Sequence, residues 1–210
     1  MTHSLAFFRD TLQPGATLAC ASACARVLYL RTGMLAVRAA GTVAALAPNA
    51  AWHGVTACEA GAGKDGAEVY RWELHRGPAP ANALLAAGIE LSATQDWLMR
   101  CDRVDFPPGG IAYTHTHQGP GIRCLLNGEL RVTTPGHEQR VVPGEPWFES
   151  GIDPVLAHAS ESVPSAFARV MILPVALRGK SSIRYVLPED QDKPKRQTYQ
   201  MFIDDRIEVG

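Results

Sequence analysis

The stretch AYTHTHQGPGIRCLLNGELRV (112–132) decides how this chain is read. His115 and His117 stand two residues apart, so on an extended strand both imidazoles project from one face. Gly119-Pro120-Gly121 follows, and then two apolar runs separated by Asn127-Gly128, a strong short-range hairpin signal. Paired imidazoles are good ligands for Zn, Fe, Ni, Mn or Cu. The plainer alternative is two histidines on a polar strand face, solvated or hydrogen-bonded.

The same pattern occurs earlier in the chain. VLYLRTGMLAV (27–37) resembles IRCLLNGELRV (122–132), which sets Gly33 on Gly128 and Val37 on Val132, 95 residues apart. Gly15 and Gly110, Pro48 and Pro143, and Trp52 and Trp147 keep that offset of 95. EVYRWEL and FARVMIL match at an offset near 99, so one loop differs in length. An offset held from Gly15 to Trp52 indicates an internal duplication. Each copy reads as short β segments bounded by Thr-Gly, Asn-Gly, Pro-Gly and Pro-Asn turns. PANALLAAGIE (80–90), rich in Ala and Leu, predicts one short helix between the copies. The tail from about 178 carries the polar stretch PEDQDKPKRQ and ends in YQMFIDDRIEV, whose alternation suits a strand. It is expected to pack on its own or on a neighbouring subunit.

Bulk properties narrow the function. The 210 residues carry 20 Lys and Arg against 21 Asp and Glu, which argues against a nucleic-acid or membrane-surface binder, since both need a basic excess. The five cysteines (20, 24, 58, 101, 124) are odd in number and form no CxxC pair, which fits reduced thiols in a cytosol. No signal peptide or membrane span is legible, so a cytoplasmic protein is expected. GAGKDG (61–66) lacks the strand–loop–helix setting of a phosphate loop and reads as a flexible loop. No catalytic triad is recognisable.

Residues 109–128 resemble the first motif of the cupin superfamily, in which a glycine, five residues, HxH, a glutamate and a closing glycine follow in order. Here Gly109, His115, His117 and Gly128 match. PGEPWFESGIDPV (143–155) stands in the place of the second motif, and with the repeat the resemblance covers most of residues 10–175. It implies an all-β bicupin: two tandem jelly-roll (double-stranded β-helix) barrels with a short connecting helix, each enclosing a ligand pocket. The expected divisions are an N-terminal degenerate barrel at 1–78, a linker with the helix at 79–97, a barrel carrying HxH at 98–176, and a tail at 177–210.

The motif is incomplete. Its glutamate position is Gly121, and its second-motif histidine position is Val155. Gln118, Glu149 and His158 lie nearby as replacements. Glu149 sits in an apolar run, where an acidic residue needs a reason. With His115 and His117 it would give a two-His-one-carboxylate set, the arrangement associated with non-haem iron. The alternative is a strand-end Glu149 that pairs with Arg123 or caps a turn. His158 would be a ligand only if the GIDP loop shifts its strand by three residues. Arg123 would grip a substrate carboxylate, pair with Glu149 in place of a metal, or lie exposed; Gln118 is a second candidate for substrate binding. In the first copy Cys20 and Ser22 occupy the histidine positions, and His53 and Gly54 align with Phe148 and Glu149, so no metal is expected there.

The functional expectation is one divalent transition metal (Fe, Ni, Zn or Mn) in the C-terminal barrel of a homodimer, serving a dioxygenase or another enzyme of small anionic molecules. The alternatives are a non-enzymatic binding or sensor protein, and a structural bicupin without metal.

Overall fold

A computed structural model describes residues 2–21 and 24–209. The chain falls into two compact units, Met1–Gln95 with Ile207–Gly210, and Asp96–Arg206. Among the described residues the regular structure is β-strand, apart from two single 3-10 turns at Val175–Leu177 and Pro188–Asp190. No helix is long and apolar enough to cross a membrane.

The first unit contains β1 (Thr2–Leu12), β2 (Thr17–Cys20), β3 (Ala25–Ala39), β4 (Thr42–Leu46), β5 (Ala50–Gly54), β6 (Cys58–Arg76) and β7 (Leu85–Glu90). The order β4-β3-β6-β1-β7 forms the main path, with β2 on β6 and β5 on β3. β3 and β6 are long antiparallel partners whose register shifts between Leu30 and Thr32 and again between Gly33 and Leu35. Val27, Tyr29, Val69, Tyr70 and Trp72 are β-branched or aromatic, and both runs (27–30 and 69–72) are buried at every position, as suits strands covered on both faces. Phe7, Tyr70 and Trp72 pack ring against ring at centroid distances of 5.0–6.3 Å.

The second unit contains β8 (Trp97–Phe106), β9 (Ile111–His117), β10 (Gly121–Asn127), β11 (Leu130–Thr134), β12 (His137–Val141), β13 (Pro146–Glu149), β14 (Val155–Ala159), β15 (Ser165–Pro174), β16 (Ile183–Tyr185) and β17 (Thr198–Ile207). These make two five-stranded sheets, ordered β13-β10-β15-β8-β17 and β12-β11-β14-β9-β16. An apolar cluster including Val104, Leu125, Leu130, Val132, Val141 and Phe167 draws on both sheets. The strand starts repeat along the chain: β4 and β12 begin at Thr42 and His137, 95 residues apart, and Thr2 of β1 stands 95 residues before Trp97 of β8.

Two local expectations are corrected. The segment 80–90 is no helix: Leu85–Glu90 is an edge strand paired antiparallel with β1. Its burial alternates with period two and ends on Ile89, so pairing and sidedness override the helical preference of its alanines. Asn127-Gly128 is no hairpin either. β10 pairs with β13 and β15, β11 pairs with β12 and β14, and the chain turns a corner from one sheet to the other. Gly128 there has φ +76, and a Cβ on it would lie 2.4 Å from Pro164 O. Gly33, its counterpart at φ +86, meets Gly66 O at 2.1 Å in the same way. Only glycine fits either corner.

Candidate metal centre

β9 in one sheet of the second unit presents His115 and His117, both buried, toward β10, β13 and β15 of the other sheet. The alternation on β9 is strict here, with His115 and His117 inward and Thr116 between them less buried. The two Nε2 atoms lie 3.2 Å apart. His115 Nδ1 is 2.7 Å from Tyr113 O, a carbonyl that only accepts, so Nδ1 carries the proton and Nε2 presents a lone pair. His117 Nδ1 is 3.0 Å from Ser182 Oγ; the Ser182 hydroxyl in turn donates to Met171 Sδ at 3.9 Å, which leaves Oγ to accept from Nδ1. Both rings are thus held from behind by the kind of partner that fixes a ligand tautomer. Burial pushes the His115 imidazole below its usual range, against the opposing charge of Glu149. It pushes His117 well below, where the charges of Arg123 and Arg169 add to it. Both rings are therefore neutral near pH 7, as ligands must be.

Glu149, at the end of β13, completes the group. Its Oε1 accepts from Trp147 Nε1 at 2.9 Å. Its Oε2 lies 3.6 Å from His117 Nε2 and 2.7 Å from Arg123 Nη2. The arginine contact is off the hydrogen-bond direction, so this buried oxygen has no aligned donor. One ligand atom from each of His115, His117 and Glu149 lies within 4.8 Å of the others. Two ligand atoms about 2.0–2.1 Å from one ion and cis to each other are about 3 Å apart, close to the imidazole separation. The space enclosed here is about 20 Å³, enough for one water-sized species. Donor types, spacing and the orphaned oxygen fit a transition-metal ion.

Arg123, on β10, is fully buried; its Nη1 donates to Gly121 O at 2.7 Å. Burial lowers the Arg123 guanidinium to about 10, while the charge of Glu149 opposes this. Of the three placements open to it from sequence, it is not exposed, and it pairs with Glu149. Gly121, where the cupin motif has glutamate, lies opposite Glu149 in the β10–β13 ladder. A Cβ on Gly121 would lie 2.5 Å from Val170 O and 2.7 Å from Met171 Cγ, so no side chain fits.

The structure does not bring the other two candidates in. His158 lies on β14, where Val155, Ala157 and Ala159 are buried and Leu156 and His158 take the other face. No three-residue shift occurs, and among the described residues His158 joins no ligand group. Gln118 has left the inward alternation, and its Oε1 accepts from Arg184 near the surface. Ser22 lies outside the described residues, and Cys20 is in the first unit.

Several residues of the site were not found from sequence. Arg169 on β15 forms a buried two-bond pair with Asp102 on β8, at 2.6 and 3.1 Å. A lone arginine in the apolar run FARVMIL carried the same signal as Glu149 did. The tail supplies Ser182, Ile183, Tyr185 and Tyr199: β16 pairs with β9, opposite His115 and His117 themselves. Nothing in a polar, proline-containing tail announces that role. A second cavity of about 390 Å³ adjoins the first, sharing Arg169, Ile183 and Tyr199 with it and lined further by Arg100, Lys180 and Lys195.

In the first unit, Cys24, Glu73 and His75 also converge. There Glu73 is held by Arg26 at 2.6 Å and Arg71 at 2.9 Å, so its charge is already matched by two guanidinium groups and the place does not suit a cation.

No family model and no curated protein matches the chain. Solved structures do. An oxalate decarboxylase from Lactobacillus farciminis, in a formate complex, aligns with TM-score 0.70 at 12% identity over 91% of this chain and 82% of its own. The Bacillus subtilis oxalate decarboxylase at pH 4.6 aligns with TM-score 0.66 at 11% identity, covering 92% and 79%. AerE from Microcystis aeruginosa gives 0.65 at 13%, covering 80% and 88%. The fold is cupin-like. Identities this low establish fold and leave activity open.

Proposed function

We propose that the chain is a cupin of two tandem barrels, one in each unit, whose second barrel holds one divalent transition metal ion on His115, His117 and Glu149 and acts on a small anionic molecule. The observation that carries this reading is the convergence of two imidazole Nε2 atoms with a buried carboxylate oxygen that lacks an aligned donor. Fe, Ni, Zn and Mn all suit two imidazoles and a carboxylate. A bound ion would supply a Lewis acid or a redox centre, the latter as in a dioxygenase.

The protein's own groups favour an anion. Arg123 with Glu149 and Arg169 with Asp102 are charge-balanced pairs, and the imidazoles are neutral. A divalent ion therefore adds positive charge that an anionic substrate offsets. The space at the histidines is too small for a substrate, so the molecule occupies the neighbouring cavity of about 390 Å³. Lys180 and Lys195 draw it in, and Arg169, common to both spaces with Nε and Nη2 on Asp102, offers its Nη1 to the carboxylate. Ile183 and Tyr199 wall the junction and limit water there. Two of the structural neighbours are by name oxalate decarboxylases, so small mono- and dicarboxylates are the first ligands to try. The balanced charge and the absence of disulfides among the five cysteines suit a cytoplasmic protein; the proposed homodimer is read by light scattering.

Elemental analysis of protein grown with each metal supplied tests the reading. About one equivalent is expected in the wild type and less than roughly a tenth in His115→Ala; less than that tenth in the wild type would sink it.

One observation favours a second reading. The 2.7 Å contact between Arg123 and Glu149 neutralises the carboxylate without a metal, which suits a metal-free pocket that binds a small molecule without chemistry. Stabilisation of chelator-treated protein by a small carboxylate, with no turnover when metals are restored, would favour it.

A further inference from the structure

The first unit places Cys20 on β2 directly opposite Cys58 on β6. Residues facing each other in an antiparallel ladder have Cα atoms roughly 4.5–5.5 Å apart. A disulfide joins Cα atoms roughly 4.4–6.8 Å apart, a range that includes this spacing. Both thiols are free, and both are buried. They nevertheless line a cavity of about 500 Å³ whose rim includes the exposed residues Gly41, Thr42 and Val43. A small solute can reach them there.

Behind the thiols lies Arg26, fully buried, with Nη1 3.9 Å from Cys58 Sγ and Nη2 3.3 Å from Cys24 Sγ. A guanidinium beside a thiol favours the thiolate, which is the reactive form. The neighbouring Cys20 lowers the Cys58 thiol, burial opposes, and Arg26 lowers it further; Cys58 and burial raise Cys20. Glu73 also faces the group and opposes ionisation, though its charge is shared between Arg26 and Arg71. Arg26 Nη1 stands beside Cys58 Sγ, which makes Cys58 the nucleophile and Cys20 its resolving partner.

We infer that Cys20 and Cys58 form a reversible dithiol site that a hydroperoxide oxidises to a disulfide. The Cys58 thiolate attacks one peroxide oxygen: the S–O bond forms as the O–O bond breaks, and the second oxygen leaves as hydroxide or alkoxide and takes a proton from water. Sulfur loses two electrons and the peroxide gains them. The Cys20 sulfur then displaces the sulfenic hydroxyl, its proton leaves with that oxygen as water, and the S–S bond forms. An external thiol reductant returns both cysteines by exchange.

The test treats the reduced full-length chain with hydrogen peroxide, then counts thiols after denaturation and maps peptides by mass. The count should fall from five to three, with loss of two hydrogens, a crosslinked peptide joining Cys20 to Cys58, and full reversal by dithiothreitol. In Cys20→Ser the sulfenic acid should persist on Cys58 and be captured by a cyclic 1,3-diketone. In Cys58→Ser oxidation of Cys20 should slow by about tenfold or more. Five surviving thiols in the wild type, or a disulfide joining any other pair, Cys24 with Cys58 included, overturns the inference, and this arm does not depend on a variant folding. Diketone capture on Cys20 in preference to Cys58 overturns the assigned roles. Uptake of a zinc ion that depends on Cys58 and blocks the peroxide reaction makes the pair a metal site and overturns the redox reading.

Discussion

Arg123 Nη2 and Glu149 Oε2 lie 2.7 Å apart in the second unit, with both side chains shielded from solvent. The two charges have left water together, and each makes the other tolerable. Such a pair is often no better for stability than an apolar replacement, but removing one member leaves a buried charge uncompensated.

Glu149→Ala should therefore destabilise the protein by about 3–5 kcal/mol, measured by urea unfolding, because Arg123 then stands alone. The double variant Arg123→Met/Glu149→Leu should recover most of that loss. An additive double-mutant cycle would show that the two residues do not depend on each other.

Metal uptake separates the roles of the same residues. Arg123→Met removes the cation competing for Glu149 and should tighten metal binding by about tenfold or more, while Glu149→Gln and His117→Ala should abolish it. Equilibrium dialysis against the metal found in the protein measures this. Chelation should also lower the thermal midpoint of the wild type and leave His117→Ala unchanged.

Gly121 gives a steric prediction. Its missing Cβ would lie 2.5 Å from Val170 O and 3.0 Å from Arg123 Nη1. Gly121→Ala should cost about 1–3 kcal/mol by overpacking, read as a lowered urea midpoint. Gly121→Glu, which restores the motif residue, should fail to raise metal affinity because β15 occupies the space.

These cases also show how far the sequence could be read. The offset of 95 and the strand and turn signals pointed to an all-β chain, because side-chain period and glycine corners are local properties. Asn127-Gly128 reads as a hairpin from sequence, yet a glycine with positive φ serves a hairpin and a sheet corner alike. The alanine-rich 80–90 segment was misread because propensity says nothing about an open strand edge. His115, His117 and Glu149 could be proposed from spacing and from an acid in an apolar run. His158 could not be placed without the face that β14 turns inward, and Arg169 and Ser182 meet the site only through long-range pairing.

Acid should weaken the first unit through Glu73. Burial pushes the Glu73 carboxyl up, but hydrogen bonds from His75 and Arg26 and the charges of Arg71 and Arg26 outweigh it and hold it at about 2, against a usual 4.5. A carboxylate depressed in the folded state contributes stability that is complete above about 4.5 and is lost as pH falls through about 2. That contribution is on the order of 3 kcal/mol. Urea midpoints should fall across this window in the wild type. Glu73→Gln should be weaker already at pH 7, because Arg26 and Arg71 lose their shared carboxylate, and should show a flatter slope between pH 5 and 2.

Arg100 is expected to hold the tail that walls the cavity of about 390 Å³ proposed for the substrate. Buried on β8, it forms two hydrogen bonds to the Asp204 carboxylate on β17, both at 2.9 Å, and donates to Lys180 O and Leu177 O at 2.7 Å each. One guanidinium thus ties the end of β17 to the turn that leads into Ser182 and β16. Lysine has a single charged centre and cannot reproduce four bonds of that fork. Arg100→Lys should keep the core of the second unit folded but release the exposed 178–180 turn from its anchor, so that trypsin cuts after Arg178 or Lys180 at least about tenfold faster than in the wild type, as expected for local opening that costs less than global unfolding. The same variant should weaken binding of small carboxylates in the cavity while leaving metal content unchanged, because His115, His117 and Glu149 lie on β9 and β13. If cleavage and ligand affinity both stay at wild-type levels, the tail is held by its strand pairing alone and Arg100 has no part in shaping the cavity.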